Sequence, residues 1–383
     1  MVPSVKQELE RIGYVLPDYR NSNLSAIKGA VERSRKGEKQ VFILADGLGY
    51  NLIERILRGK ESRRLLQGAR VRRASSLVPS STLTVLTSME TGQTPAEHGL
   101  VGWNVYAKEH GMILMPYRDA AQISRDFVLS RAHISNVFAR PRLLMRAAAK
   151  RRLAYLYPEF INKETIGALE NCDSIQYTGL PAMLLKIKEL VGKGAHGFIY
   201  AYYPDLDSVQ HIYGPGSEAA LRSAMLFLRE LNEVLLPRLE GSGYHLTITA
   251  DHGLTAITRV VEISGKSGIM RYLIAPPWGD SRMMYVNVQH GMEGALREHV
   301  RKRYARDAAL FDTEELIRSG IFGKKRVAES IKYRFGTHVL LARPHVKLYY
   351  EYPYTRPAKR FRMLGSHSGM SAEEMAVPVV SYS

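Results

Sequence analysis

The chain reads as an α/β protein with a mostly parallel central sheet flanked by helices and an inserted α+β cap subdomain. Two observations predict the fold class. Short, continuous apolar runs stop on acidic residues, as in "KQVFILADGLG", "GFIYAYYPDLD" and "YHLTITADHG", which suits strands buried on both faces of a parallel sheet. Helical periodicity follows the first two, in "YNLIERILRG" and "SEAALRSAMLFLRELNEVLLPRL", and strands alternating with helices are the signature of that sheet. A third observation predicts the insertion. From about residue 265 to 362, strand patterns ("RMMYVNV", "THVLLARPHVKLYYEY") mix with basic helices, and the core pattern returns only at "LGSHSGMSAEEMAVPVV".

Taken in order, residues 1–37 read as a polar helical N-terminal extension, with Asn and Ser opening "NSNLSAIKGAVERSRKG" and Gly37 just past its end. Val41 to Ala45 form the first buried strand, stopped by Asp46 and Gly47. Residues from about 118 to 180, rich in Arg and Ala, interrupt the rhythm. The division that results is a core of 1–264 plus 363–383 and an inserted subdomain at 265–362.

The 383 residues are 45% hydrophobic, an ordinary globular composition, and suffice for two compact units or one enlarged one. No apolar run is long enough to span a bilayer. The N-terminal "MVPSVKQELERIGYVL" lacks the apolar stretch of a signal peptide. With a lone cysteine, Cys172, which excludes an intrachain disulfide framework, these features suit a reducing cytoplasm and no membrane. The formal charge of +17 is spread over several basic patches, among them "RAAAKRRLAY" and "RPAKRFR". Such a surface draws anions such as phosphoesters, nucleotides and nucleic acid, although mixed-sign patches equally describe a solvated, ion-paired exterior.

The chemistry gathers at strand ends. Asp46 ends one buried run, Asp207 and His211 follow a second, and Asp251 and His252 follow a third. Ligands of open α/β sheets bind outside the carboxyl ends of the strands, so these groups would share one edge. One aspartate at a strand end is commonly a cap; the set, with histidine alongside twice, points to a metal site. Mixed carboxylate and imidazole ligands suit zinc, with manganese or cobalt as alternatives. Their number exceeds one tetrahedral set, which implies two ions able to clamp an in-line displacement at phosphorus. In "SLVPSSTLTVLTSMETGQTPAEHGLVGW", hydroxyls open a helix. A serine or threonine there is ordinarily an N-cap, yet a helix start also offers N–H groups to a phosphate. His98, in "PAEHGL", reads as structural.

Five segments, "FILADGLGYN", "VPSSTLTVLTSMETGQTPAEHGLVG", "YYPDLDSVQHIYGPGS", "TADHGL" and "GSHSGM", occur in family order over about residues 40–370. They resemble the alkaline phosphatase superfamily, in its type I phosphodiesterase/nucleotide pyrophosphatase branch. The resemblance implies an alkaline-phosphatase-like core and a phosphodiesterase or nucleotide pyrophosphatase with two divalent ions, zinc foremost. Thr82 aligns with the family nucleophile and would form a phospho-threonyl intermediate. One ion would be held by Asp46, Thr82, Asp251 and His252, the other by Asp207, His211 and His367; Asp205 would belong to the turn. The chain departs from the family in two places. Val85 stands where eukaryotic-type members carry asparagine three residues after the nucleophile, leaving a backbone N–H, the metals or Asn104 to meet the phosphoryl oxygen. The usual His-Gly-Gly is His367-Ser368-Gly369. A phosphomonoesterase or phosphonate hydrolase could use the same residues. A sulfatase lacks its Cys/Ser-x-Pro-x-Arg turn here, and a phosphoglycerate mutase would use serine. In a different class stands a non-catalytic basic protein that binds nucleic acid, a reading the charge supports and the ligand set disfavours.

Overall fold

The central strands are apolar on both faces because helices cover both. The first six residues after Lys39 in strand β1 (Lys39–Ala45) are all buried. The computed structural model describes residues 4–116, 120–121, 142–148, 152–161, 172–352 and 363–382. The strands after β1 are β2 (Arg70–Ser75), β3 (Val105–Ala107), β4 (Met112–Met115), β5 (Ala120–Ala121), β6 (Arg152–Pro158), β7 (Cys172–Tyr177), β8 (His196–Tyr203) and β9 (Tyr244–Thr249). Then come β10 (Thr255–Ala256), β11 (Arg259–Glu262), β12 (Trp278–Gly279), β13 (Met283–Val286), β14 (Ala308–Asp312), β15 (His338–Ala342), β16 (Val346–Tyr349), β17 (Gly365–Ser366) and β18 (Ala376–Tyr382).

Seven strands make the central sheet, in the order β2-β18-β9-β1-β8-β6-β7. Strand β1 runs parallel to both its neighbours, β8 and β9. Only β18 opposes them, pairing antiparallel with β9 and β2. The carboxyl ends of β1, β8 and β9 therefore lie side by side, and the segments before β18 arrive at the same edge.

Helices α1 (Val5–Ile12), α2 (Asn23–Arg35), α3 (Tyr50–Arg58), α4 (Thr82–Thr91), α5 (Pro95–His98), α6 (Arg142–Ala148), α7 (Gly179–Lys193), α8 (Asp205–Tyr213) and α9 (Glu218–Glu230) follow the chain order. Ser22 caps α2 through its side chain, which accepts from the Ser25 N–H, as the sequence predicts for this start. The N-terminal segment divides its contacts. Helix α2 packs into the central core, whereas Leu9 and Tyr14 join the apolar cluster of the second sheet, and the Tyr14 hydroxyl donates to the Ala342 carbonyl at 2.9 Å.

One sequence expectation is corrected. The Arg/Ala-rich stretch does not wholly interrupt the core, because β6 and β7 extend the central sheet in parallel register with β8. The arginines flank an apolar strand: Arg152 starts β6, the next six residues are buried, and its guanidinium lies 2.6 Å from Asp173 on β7. Residues 122–141 of that stretch, and the "RPAKRFR" run at 356–362, lie outside the described residues.

A separate four-stranded sheet, β12-β13-β15-β14, occupies part of the 265–362 segment. One of its apolar clusters contains Met284, Leu296, Leu310 and Leu340. The other holds Trp278, Tyr285 and Phe335 together with Val78 and Met370, which flank the edge where the aspartates and histidines meet.

Candidate metal centre and active site

Asp46 follows the last residue of β1 and is 3% exposed. Its neighbour Gly47 has φ of 72°, and a Cβ there would stand 2.8 Å from the Asp207 Cα. Only glycine lets α8 approach this closely. Helix α8 places Asp207 and His211 one turn apart, with His211 Nε2 3.2 Å from Asp207 Oδ2. Asp205 opens that helix exposed to solvent. Past the end of β9, Asp251 and His252 are fully buried. His367 follows β17.

These residues converge. Asp207, His211 and His367 can present one ligand atom each to a common point, and so can Asp46, Asp207 and His252. His252 Nε2 lies 3.1 Å from Thr82 Oγ1, 3.6 Å from Asp46 Oδ1 and 3.2 Å from Asp251 Oδ2. His367 Nε2 lies 3.8 Å from Asp207 Oδ1, and its ring stacks on that of His252 with centroids 3.7 Å apart. Asp207 thus stands between the two groups. Asp251 contributes differently from Asp46: its Oδ1 accepts from the Gly47 and His252 backbone N–H groups, at 3.1 and 2.9 Å.

The donor set fits divalent metal. Asp46 Oδ1, Asp207 Oδ1 and Asp251 Oδ2 are buried without a hydrogen-bond donor among the described residues, a costly state for carboxylate oxygens that a cation relieves. Each histidine turns Nδ1 to a backbone carbonyl: His211 to Gly365 at 2.8 Å, His252 to Gly253 at 3.2 Å and His367 to Ser80 at 3.1 Å. With the proton on Nδ1, that arrangement would leave the lone pair on Nε2, as metal-binding histidines require.

The charges are strained without a cation. Burial, and then the neighbouring charges of Asp251 and Asp207, push the Asp46 carboxyl well above the usual carboxylate range, against a hydrogen bond donated by Tyr202. Burial works the same way on Asp207, but the charge and hydrogen bond of His211 overcome it and hold that carboxyl low. Burial, and then His252, press the His367 imidazole well below its ordinary value, which keeps its lone pair free.

Thr82 is the first residue of α4, preceded by a cis Val78–Pro79 peptide. Ser81 sits at the N-cap without a side-chain cap bond to the helix. The N–H groups of the first turn are thus left for another acceptor. Val85 points into the core, fully buried, while Asn104 lines the adjoining cavity and donates its amide to the Gly279 carbonyl at 3.0 Å. His98 is buried between α4 and its own loop, with Nε2 2.8 Å from Ser88 Oγ and Nδ1 accepting from the Leu100 N–H at 3.0 Å. Cys172 is half-buried on β7, outside the residues of this centre, and is not in a disulfide.

Sequence reasoning missed three supports. The Asn23 amide donates to the Ala250 and Asp251 carbonyls at 3.0 and 2.9 Å, fixing the turn that carries two of the candidate ligands. Asp280 Oδ1 accepts from the Trp103 N–H at 3.0 Å, while its Oδ2 is buried without a partner among the described residues. Arg282 and Glu374, both fully buried, meet through two bonds of 2.6 and 2.9 Å, and Glu374 also accepts from the Gly369 N–H at 2.8 Å, two residues from His367. Only Asn23, in a cap-like "NSNLS", carried a local signal.

The model of the type I phosphodiesterase / nucleotide pyrophosphatase family matches residues 40–370. Among solved structures, murine ectonucleotide pyrophosphatase/phosphodiesterase 5, in an inactive threonine-to-alanine form with AMP, is 15% identical with a TM-score of 0.64, covering 90% of this chain and 88% of that one. The human protein of the same name is 14% identical, with a TM-score of 0.64 and coverage of 90% and 88%. Phosphonoacetate hydrolase from Sinorhizobium meliloti 1021, in complex with phosphonoformate, is 18% identical with a TM-score of 0.60 and coverage of 90% and 89%. At these identities the likeness is one of fold. No curated protein sequence matches the chain significantly. No helix among the described residues is long and apolar enough to cross a membrane.

Proposed function

The chain belongs to the type I phosphodiesterase / nucleotide pyrophosphatase family, and from that premise we propose that it cleaves phosphodiester or nucleotide pyrophosphate bonds with Thr82 as nucleophile and two divalent ions, zinc foremost. Family membership makes it a hydrolase of phosphoric esters. The observation that carries the finer reading is the set of three buried carboxylate oxygens, without a hydrogen-bond donor among the described residues, facing three Nε2 atoms, with the Thr82 hydroxyl 3.1 Å from one of them.

In this reading Asp46, Thr82, Asp251 and His252 hold one ion, and Asp207, His211 and His367 hold the other. Bound there, the ions would lower the pKa of the Thr82 hydroxyl and neutralise charge on the phosphoryl oxygens. The uncapped N–H groups of α4 donate to a phosphoryl oxygen. Thr82 Oγ1 attacks phosphorus in line, the bond to the leaving oxygen breaks, and water then hydrolyses the phospho-threonine. Ser81 makes no side-chain cap bond, which keeps the helix start open. The described residues of the inserted 265–362 subdomain, Trp278 and Tyr350 among them, wall the substrate cavity.

Thr82→Ala should reduce turnover by about 10³-fold or more while circular dichroism and bound metal stay close to wild type. An active Thr82→Ala protein would remove Thr82 from this role. A second reading, phosphonate hydrolysis, draws on the shared fold with phosphonoacetate hydrolase; cleavage of a C–P bond in preference to an O–P bond would favour it.

A further inference from the structure

A cavity of about 260 Å³ opens beside the candidate metal centre. His211 and His367 form one wall, and Trp103, Trp278, Tyr350 and Lys347 contribute to the others. The walls therefore combine aromatic faces with one ammonium and one carboxylate, Asp280.

That ammonium stands apart from the other basic groups of a chain with 54 Lys and Arg. Many of those are exposed or ion-paired. Lys347 is half-buried on β16, and its Nζ lies 3.1 Å from Met363 Sδ, a soft and neutral acceptor. Among the described residues no carboxylate makes an ion pair with it, and the sequence from 353 to 362 contains no acid at all. Burial pulls its amine below the ordinary lysine value, a desolvation cost that no ion pair among the described residues offsets. Asp280 lines the same cavity; its Oδ1 accepts from the Trp103 N–H at 3.0 Å, its Oδ2 is buried without a hydrogen-bond partner among the described residues, and it makes no ion pair with Lys347.

We propose that Lys347 is a specificity-determining residue that binds a second anionic group, a carboxylate or a phosphate, at the far end of the substituent carried by the scissile phosphoryl group. The proposal rests on the phosphoester reading and adds to it. A ligand phosphoryl group at His211 and His367 would lay its substituent along the aromatic wall and bring the tail anion to Nζ, a point charge well suited to either anion. Neutral-tailed esters would leave the ammonium unpaired and bind more weakly.

The protein supplies its own reporter. It has two tryptophans, Trp103 and Trp278, and both line this cavity, so intrinsic fluorescence reads occupancy without any turnover. The experiment titrates metal-supplemented protein with alkyl phosphates of three to six carbons ending in methyl, carboxylate or phosphate, in wild type, Lys347→Met and Lys347→Arg. Wild type should bind at least one anionic-tailed series about tenfold or more tightly than the methyl series, as a charge-assisted hydrogen bond implies. That preference should fall to near one in Lys347→Met and persist in Lys347→Arg. Comparing the carboxylate and phosphate arms tells which anion the site takes. Equal binding of all tails by wild type, or an undiminished preference in Lys347→Met, overturns the role of Lys347 and leaves the phosphoester reading standing. If no phosphate ester of any tail binds, the phosphoester reading falls, and the proposal with it.

Discussion

Ser368 stands between His367 and Gly369 with φ of 90°, a conformation that costs an L-residue about 1–2 kcal/mol and glycine little. Its side chain is buried, and its hydroxyl has no partner among the described residues. The sequence marks this position as a departure from His-Gly-Gly; the backbone angle gives the physical reason glycine is preferred. Ser368→Gly should therefore raise stability by roughly 0.5–1 kcal/mol, after the entropy that glycine loses on folding. Thermal denaturation with and without metal checks this, and a lower melting temperature in both states would contradict it. The neighbouring Gly369 has no such freedom to change, since a Cβ there would meet the Glu374 carboxylate at 2.9 Å. At this scale the candidate ligands Asp46, Asp207, His211, Asp251 and His252 were legible because each ends or follows a buried apolar run. His367 was legible only through family resemblance, because a histidine in a loop has no periodicity to mark it. Lys347 was invisible: nothing local separates it from the other basic residues, and only the fold shows that no acid among the described residues pairs with it.

The elements divide in the same way. Strands β1, β8 and β9 announce themselves by continuous apolar runs, and their parallel pairing brings the site together. Strand β6 was hidden because its apolar residues follow a run of arginines whose charge dominates the local composition. The tie between the second sheet and the His367 segment was hidden too, since Arg282 and Glu374 are 92 residues apart. Arg282 also donates to the Arg343 carbonyl at 3.3 Å, so one buried guanidinium joins the strand β13 region, the turn before β16 and the loop that presents His367. Arg282→Met leaves Glu374 buried without its cation and should cost about 3–5 kcal/mol. It should also weaken metal binding, because Glu374 would lose the geometry in which it holds the Gly369 N–H. Denaturant unfolding and metal titration of the folded variant read the two effects separately. A variant with wild-type stability and metal affinity would show that the two units are not coupled through this pair.

At the scale of the whole molecule, a net charge of +17 surrounds a centre of three aspartates and three histidines. Positive surface potential concentrates anionic substrates, and the acidic centre then needs cations before a phosphate can approach it. The fold class, the parallel order and the reaction class could be read from the sequence because strand-end chemistry and motif order survive in it. The shape of the cavity could not, because its walls come from Trp103, Trp278, Lys347 and His367, which lie far apart in the chain and meet only through tertiary packing. The central claim is metal-dependent hydrolysis of a phosphodiester at this centre. Its most direct test is the rate on bis-p-nitrophenyl phosphate beside p-nitrophenyl phosphate, with zinc or manganese supplied and again after chelation. The account predicts turnover that favours the diester by about tenfold or more, disappears on chelation and returns with metal. Turnover that survives chelation, or a preference for the monoester, would contradict it.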